Sequence, residues 1–429
     1  MRQRLNCCFA QQAALPEDFL MTTLSENAGP LSLPNVRLLL SGQLLSQLGD
    51  KILSVGLVWF IALNSSEQTV AWYIAANSLP HLVLAPFTSR TVQQRGALRT
   101  VIFTDFARAF LFAVAAFLVF FWAKSDQNTK VILPLLFALG IGTNVFSSYF
   151  NPAVLTLPQL VAPLDMLGRV NGMISACFSV ALVLGPLLAL GMLHVLGLAG
   201  LLLLTGCGYL IAALCEMKMK IFGTDTADTE SETYKLSALR SDYPSIFHIL
   251  VLFLGMNFFF APLFVFLPLF AKNRFAQNMS ALVALEVAFG IGTIVGGLLL
   301  SVVRSSWLQE KRAPFYLAAA AVSYGVFSMA TTLEVAAISL AALGLCVSVN
   351  NVLVLTFFQK QAKPQAVPAI MAMVNTISIA TLPLAMFLLG FLLPHINIST
   401  VASVCACVVF GLALMLFRVR EMRFAKDVG

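Results

Sequence analysis

The chain has 429 residues, of which 59% are hydrophobic and only 10% are charged, with a formal net charge of +7. A soluble protein carries about 25% charged residues, so this composition cannot supply a normal water-exposed surface. Outer-membrane barrels are also excluded, because their strands are short and alternating whereas these apolar runs reach about 18 residues or more. The composition therefore predicts an all-α polytopic membrane protein in contact with lipid.

Apolar windows, split at charges and turn residues, predict twelve transmembrane helices. In chain order the predicted spans are 36–63, 69–89, 98–122, 131–151, 168–193, 197–216, 245–271, 280–303, 313–333, 335–358, 366–393 and 398–417. The boundaries between neighbouring spans near 193–200 and 332–337 are short, so the chain must form tight turns there. Pro262 and Pro268 are expected to kink the seventh span, because proline has no backbone N–H to donate.

Lysine and arginine predict the orientation, because cytoplasmic loops carry an excess of both. With the N-terminus inside, the outer loops hold only four of the 26 basic residues, Lys124, Lys130, Lys272 and Arg274. The other basic residues outside the spans fall in cytoplasmic segments, scattered and not in one patch, so no nucleic-acid partner is expected. The prediction is a multi-pass protein of the cell (inner) membrane with both termini in the cytoplasm.

A hydrophilic stretch rich in Thr, Ser, Asp and Glu separates the sixth predicted span from the seventh and is typical of a flexible linker. The predicted organisation is a cytoplasmic tail at 1–35, a six-helix half at 36–217, the cytoplasmic linker at 218–244, a second six-helix half at 245–417 and a cytoplasmic tail at 418–429.

Two motifs point to a known family. The loop "SRTVQQRGALR" (89–99) resembles the Gly-x3-Asp-Arg-x-Gly-x2-Arg/Lys loop of the major facilitator superfamily, with Gly96 and Arg99 in place. Ser89 replaces the first glycine of that motif, and glutamines replace its Asp-Arg pair. The run "LGPLLALG" (184–191) is similar to the Gly-Pro motif that exporters of the family carry in the fifth span, here Gly185 and Pro186.

Longer stretches look like the macrolide-efflux and enterobactin-exporter branch of that family, namely "GQLLSQLGDKILSVGL" (42–57), "TDFARA" (104–109) and "FNPAVLTLPQLVAPLDMLGRVNG" (150–172). The resemblance implies the major facilitator fold of two six-helix bundles that rock against each other. It also implies gating or inter-half roles for the two motifs above. The resemblance implies that the Asp of this loop helps to hold the two halves in one conformation. Because this chain lacks that Asp, its gating is expected to differ from the family's usual pattern.

The first predicted span carries a polar stripe. Gln43, Gln47, Asp50 and Ser54 recur at spacings of four, three and four, which places them on one face of a helix. An ionised side chain at the bilayer centre costs about 2.5–3.5 kcal/mol on insertion scales, so the stripe is expected to face the transport cavity. Asp50 either handles substrate or protons, or is held as a fixed partner in an ion pair. Lys51, beside it, is expected to pair with an acid.

Other polar residues within the spans are candidates for the pathway or for gating. Asp105 and Arg108 lie one turn apart on the third span and can pair with each other, which suits a structural or gating role. Glu286, a lone carboxylate inside a C-terminal span, is either a proton carrier or a vestibule residue. Asn144, Asn257 and Asn351 either line the pathway or bond to neighbouring helices.

The sequence contains no nucleotide-binding loop, nucleophile elbow or metal-type Cys/His spacing, so no catalytic residues, cofactor or metal are expected. The expected function is secondary active transport by rocking alternating access, in a monomer that uses protons to export a hydrophobic or amphipathic small molecule such as a drug or siderophore. The alternatives are the same fold carrying a nutrient, a metal chelate or a lysophospholipid, and a membrane sensor that transports nothing.

Overall fold

The computed structural model describes residues 30–122, 128–162, 166–220, 243–275, 277–302, 310–361 and 367–418. Within these ranges the chain is helical and contains no strand. Most of the predicted N-terminal tail, linker and C-terminal tail lies outside the described residues.

The described ranges contain twelve α-helices, named here in chain order. They are α1 (Pro34–Asn64), α2 (Glu67–Arg95), α3 (Ala97–Trp122), α4 (Asn128–Val161), α5 (Leu167–Glu216), α6 (Pro244–Phe260), α7 (Leu263–Asn273), α8 (Met279–Val302), α9 (Ala313–Met329), α10 (Leu333–Gln361), α11 (Val367–Leu392) and α12 (Ile398–Arg418). Every predicted span overlaps one of these helices, although α5 covers two spans and α6 with α7 covers one. The span predicted at 313–333 is too long, since α9 ends at Met329, and residues 303 and 366 of two other spans lie outside the described residues.

Two local breaks explain that difference. Gly197 interrupts α5 with φ 65° and ψ −172°, a conformation that glycine adopts without steric cost, so the fifth and sixth spans meet at one residue. The predicted tight turn near 193–200 is confirmed. Pro262 separates α6 from α7, because proline cannot donate the helical hydrogen bond. The kink predicted for the seventh span is therefore a break between two helices.

Several of the described segments are long and apolar enough to cross a membrane. These are Pro34–Asn64, Ala97–Phe121, Val131–Val161, Arg169–Glu216, Pro244–Asn273, Met279–Leu300, Leu333–Phe358 and Ile398–Arg418. Large apolar side chains are exposed on their surfaces, among them Phe110 at 69% and Phe117 at 61%. Exposed apolar surface of this kind is typical of contact with lipid, and the chain is a membrane protein.

The chain divides into two compact units, of which the first is drawn from Met1–Ser54, Val83–Ala181 and Met192–Thr229. Its core contains Leu39, Val101, Phe150, Leu157 and Val170, all buried. The cluster of charged side chains described below lies entirely within this first unit.

The second unit is drawn from Val55–Leu82, Leu182–Gly191 and Glu230–Gly429. Its helices α8 and α10 approach at their backbones: a Cβ added to Gly296 would lie 2.6 Å from the carbonyl oxygen of Leu345. Small residues allow this approach in membrane helices, and Gly292 and Gly296 of "GIGTIVGG" (290–297) form the face that packs against α10.

Candidate functional site: a buried ion cluster on α1, α3 and α5

Arg108 on α3 is the centre of the cluster, and its side chain is completely buried. Its Nη2 pairs with Oδ1 of Asp105, one turn away on the same helix, and its Nη1 lies 3.3 Å from Oδ1 of Asp50 on α1. A buried guanidinium requires such partners, because an unpaired charge away from water is strongly destabilising. The cluster therefore ties α3 to α1 through one cation and two carboxylates.

Aromatic rings enclose the same guanidinium. Its carbon atom lies 4.2 Å from the ring centroid of Phe150 on α4 and 4.4 Å from that of Tyr209 on α5. Cation–π contacts of this kind add attraction when the cation is desolvated. Arginine suits this position better than lysine, because its planar group stacks on rings while it binds carboxylates at its edge.

Both carboxylates accept a second hydrogen bond. Ser46 Oγ donates to Asp105 Oδ2 at 2.8 Å, and the Tyr209 hydroxyl donates to Asp50 Oδ1 at 2.6 Å. Their exposure differs, because the side chain of Asp105 is fully buried whereas that of Asp50 is 32% exposed. Asp50 is therefore the acid of this pair that water or a ligand can reach.

Glycines on α1 let α5 approach closely. A Cβ at Gly49 would lie 3.1 Å from Cζ of Tyr209, and a Cβ at Gly42 would lie 2.9 Å from Oε1 of Glu216. The order of these contacts shows that α1 and the C-terminal part of α5 run antiparallel. Each glycine makes room for a polar side chain of α5, and one of those side chains, Tyr209, bonds to the cluster.

Two polar side chains beside the cluster are fully buried. Glu216 and Gln43 are both 0% exposed. Neither carboxyl oxygen of Glu216 and neither amide atom of Gln43 has a hydrogen-bond partner among the described residues, and the same holds for Nε of Arg108. Glu216 interacts electrostatically with both Asp105 and Arg108.

The structure brings three of the predicted residues together. The predicted pairing of Asp105 with Arg108 is confirmed. Asp50 forms an ion pair with Arg108, and its role in handling substrate or protons stays a prediction. The expectation for Lys51 is wrong within the described residues, where its ammonium lies 5.9 Å over the ring of Phe178 and has no acidic partner. Consecutive helical residues point about 100° apart, so Asp50 and Lys51 meet different neighbours.

The polar stripe on α1 does not form one uniform surface. Gln43 is fully buried, Gln47 and Asp50 are half-buried, and Ser54 is exposed. The expectation that Gln43 faces a cavity is therefore wrong. Its turn of α1 is the one at which Gly42 contacts α5, so the close packing of the two helices excludes solvent there.

The remaining polar candidates lie outside the cluster. Glu286 is half-buried and takes part in an interaction, and its role as a proton carrier or a vestibule residue stays a prediction. The amides of Asn144 and Asn257 donate to the carbonyl oxygens of Gly140 and Phe253, one turn back on their own helices. Asn144 takes part in a further interaction as well, and the lining of the pathway or bonding to neighbouring helices by these amides stays a prediction. Asn351 is exposed.

The predicted gating residues fall at two other places. Gly96 directly follows the end of α2. Its φ is 86°, a backbone conformation that glycine adopts more easily than other residues. Arg99 is exposed and lines a cavity of about 560 Å³ together with Gln94, Arg95 and Tyr149. Gly185 and Pro186 are buried within α5. In the part of the chain that the structure describes, no group of His, Cys, Asp or Glu residues could hold a metal ion.

Tyr209 and Glu216 were missed by the sequence analysis. Both belong to "LLLLTGCGYLIAALCE" (201–216), where they are polar residues in an otherwise apolar span. Glu216 falls at the predicted end of that span, beside the hydrophilic linker, where an acid needs no special explanation. The signal available was the pair of glycines on the first span, but nothing in the sequence assigns them to the sixth span as a partner.

Comparisons with known proteins agree with this architecture. A family model described as Major Facilitator Superfamily matches residues 39–383. Macrolide efflux protein A of Streptococcus pyogenes is 18% identical over 402 residues, which cover 89% of this chain and 95% of that protein.

Solved structures share the fold at low identity. A bacterial homologue of the iron transporter ferroportin, in the inward-facing state, matches with a TM-score of 0.67 at 16% identity, over 91% of this chain and 98% of that one. The human organic anion transporter MFSD10 matches with a TM-score of 0.61 at 15% identity, over 90% and 98%. These structures establish the fold, and the family match covers most of the chain. The chain therefore belongs to the Major Facilitator Superfamily, whose members are transporters of small molecules and not enzymes.

Proposed function

We propose that the protein is a proton-coupled exporter of a hydrophobic or amphipathic small molecule, of the drug or siderophore class. The observation that carries this proposal is the ion cluster itself, in which Asp50 is bound by Arg108 and Tyr209 yet keeps 32% of its side chain exposed. Charged groups within membrane spans are costly and mark ion or substrate pathways. Protonation of Asp50 would weaken its bond to Arg108 and so link the proton to the packing of α1 against α3.

The direction and the cargo class are supported by similarity to a macrolide efflux protein. The 35 phenylalanines of the chain suit an apolar and adaptable binding surface. We further propose that the halves 36–217 and 245–417 rock about the linker 218–244, in a monomer of the inner membrane with both termini in the cytoplasm.

The test is transport by the purified full chain in liposomes, with a labelled macrolide as the probe. A pH difference across the membrane should drive accumulation of the macrolide by the wild type. Asp50→Asn should abolish this accumulation while retaining binding, because the substitution removes a charge and leaves the apolar surfaces intact. Glu334→Gln, an exposed site at the start of α10, is the matched control.

Two results would contradict the proposal. Accumulation that does not depend on the pH gradient would exclude proton coupling. A wild-type rate of transport in Asp50→Asn would show that Asp50 takes no part in the coupling. The same vesicles distinguish the alternatives. Movement of a nutrient, a metal chelate or a lysophospholipid without movement of amphipathic drugs would favour a different cargo, and binding without any flux would favour a sensor.

A further inference from the structure

Glu216 is the one acid of this region that the ion cluster leaves without a hydrogen-bond partner among the described residues. It ends α5, is 0% exposed, and packs with its carboxyl group against the backbone of α1 at Gly42. A fully buried carboxylate without a donor is costly, whereas the protonated acid carries no net charge. Its surroundings therefore favour the neutral acid in this conformation.

The charges around Glu216 lead to the same conclusion. From α3, Asp105 and Arg108 both act on it electrostatically. Arg108 already forms ion pairs with Asp105 and Asp50, and the Tyr209 hydroxyl already donates its hydrogen bond to Asp50. Ionisation of Glu216 would place a third carboxylate beside a single guanidinium, which like-charge repulsion opposes.

Two buried donor groups, on α1 and α3, are available to bind an ionised Glu216 after a rearrangement. The Nε–H group of Arg108 is buried and has no acceptor in the described part of the chain, and the Gln43 amide, beside Gly42, is buried and unpaired. These unused donors can stabilise a carboxylate that comes within reach when α1 and α5 shift. The site can thus exist in two states that differ by one proton.

We infer that Glu216 is a proton-binding site of this transporter, occupied in the conformation described here and emptied when α1 and α5 move apart. The reaction is a simple dissociation: the O–H bond of the carboxylic acid breaks, its electron pair stays on the carboxylate oxygen, and the proton passes to water. The inference deepens the proposed function, on which its role in coupling depends. It adds a buried proton site at Glu216 to the accessible carboxylate of Asp50 in the same cluster.

The first measurement detects the bound proton without transport. Infrared difference spectra of the purified full chain, recorded between neutral and alkaline pH, show the C=O stretch of a protonated carboxyl group. The wild type should show a band that disappears in Glu216→Gln and persists in the matched control Glu334→Gln. Absence of any such band from the wild type at neutral pH would overturn the inference.

The second measurement separates coupling from a structural role. In liposomes, Glu216→Gln should lower gradient-driven accumulation of a labelled macrolide by about tenfold or more, the size of a typical coupling between two sites. Exchange of labelled for unlabelled macrolide, which needs no net proton movement, should persist. A purely structural role would reduce both activities together. Wild-type accumulation in Glu216→Gln would overturn the coupling role.

Two further outcomes are decided by the same experiments. If Glu216→Gln yields little folded protein, Glu216→Asp keeps an acid at this position, and its carboxyl band must then shift in frequency; an unchanged band would assign the proton elsewhere. If the wild type moves no amphipathic probe, the proposed function fails, while the infrared band alone still decides whether Glu216 binds a proton.

Discussion

Gly49 on α1 lies directly beneath the ring of Tyr209 on α5, and a Cβ at this glycine would lie 3.1 Å from the ring's Cζ. The Tyr209 hydroxyl donates to Asp50, the residue that follows Gly49, at 2.6 Å. The absence of a side chain at one position therefore sets the geometry of the hydrogen bond at the next.

Gly49→Ala should displace the ring of Tyr209 and weaken its bond to Asp50. Overpacking of a tight contact costs about 1–3 kcal/mol, whereas Tyr209→Phe, which removes only the hydroxyl, should cost about 0.5–1.5 kcal/mol. Thermal unfolding in detergent measures both. Gly172→Ala on α5, where a Cβ would meet nothing within 4 Å, is the control. Equal stability of the two alanine variants would refute the tight contact.

Arg108→Gln should destabilise the fold strongly, because it leaves Asp105 buried without its cation. Breaking a buried ion pair costs about 3–5 kcal/mol. Adding Asp105→Asn to this variant should recover part of the loss, because the second substitution removes the stranded charge. The measurement is the unfolding temperature of the single and double variants. Arg99→Gln, at an exposed site, is the control, and a double variant less stable than Arg108→Gln would contradict this account.

Lys272 at the end of α7 holds the C-terminal end of α1. Its ammonium donates to the carbonyl oxygens of Ala62 and Ser65, and Asn273 donates to Glu67 Oε1 at 2.6 Å. A cation at a helix C-terminus is favourable because it binds carbonyl groups that have no helical partner.

Lys272→Met keeps the length of the side chain but removes these bonds, so it should let α1 and α7 separate. The loss of about 1–2 kcal/mol corresponds to a shift in populations of roughly five- to thirtyfold. Spin labels at the exposed positions Ser66 and Gln277 report the separation by pulsed dipolar spectroscopy. Met329→Leu, at an exposed site on α9, is the control. An unchanged distance distribution in Lys272→Met would show that these bonds do not hold the two helices together.

Arg99→Ala should slow transport more than it weakens substrate binding. Arg99 and Gly96 are what remains of the family loop motif, and Arg99 lines the cavity at the start of α3. Turnover in liposomes and equilibrium binding on the same preparation give the two quantities. Intact turnover with weakened binding would assign Arg99 to the substrate site and not to gating.

Single cysteines in a cysteine-free background should test the topology. An impermeant thiol reagent added outside is expected to label Asp126→Cys and His395→Cys but not Asp228→Cys, because the distribution of basic residues predicts a cytoplasmic linker. Labelling of Asp228→Cys in intact cells would reverse the predicted orientation.

The sequence by itself determined the helices and the family. Long apolar runs have no stable alternative to helix in lipid, because backbone groups there must bond within their own segment. Pro262 and the turn predicted near 193–200 were sufficient to indicate where helices break, because proline cannot donate a helical hydrogen bond and glycine adopts turn conformations easily. The pairing of Asp105 with Arg108 was also predictable, since it depends only on a spacing of three along one helix.

Only the tertiary structure decided which residues form the cluster. The cluster joins residues that are far apart in sequence: Arg108 and Asp50 are separated by 58 positions, Tyr209 and Asp50 by 159, and Glu216 and Gly42 by more. The order of the helices along the chain does not indicate which of their faces pack together. Helical periodicity placed Gln43 and Ser54 on one face, yet one is buried and the other exposed. Burial depends on which neighbouring helix covers each turn. On α1, Gly42 and Gly49 allow α5 to pack closely and so decide which turns are covered.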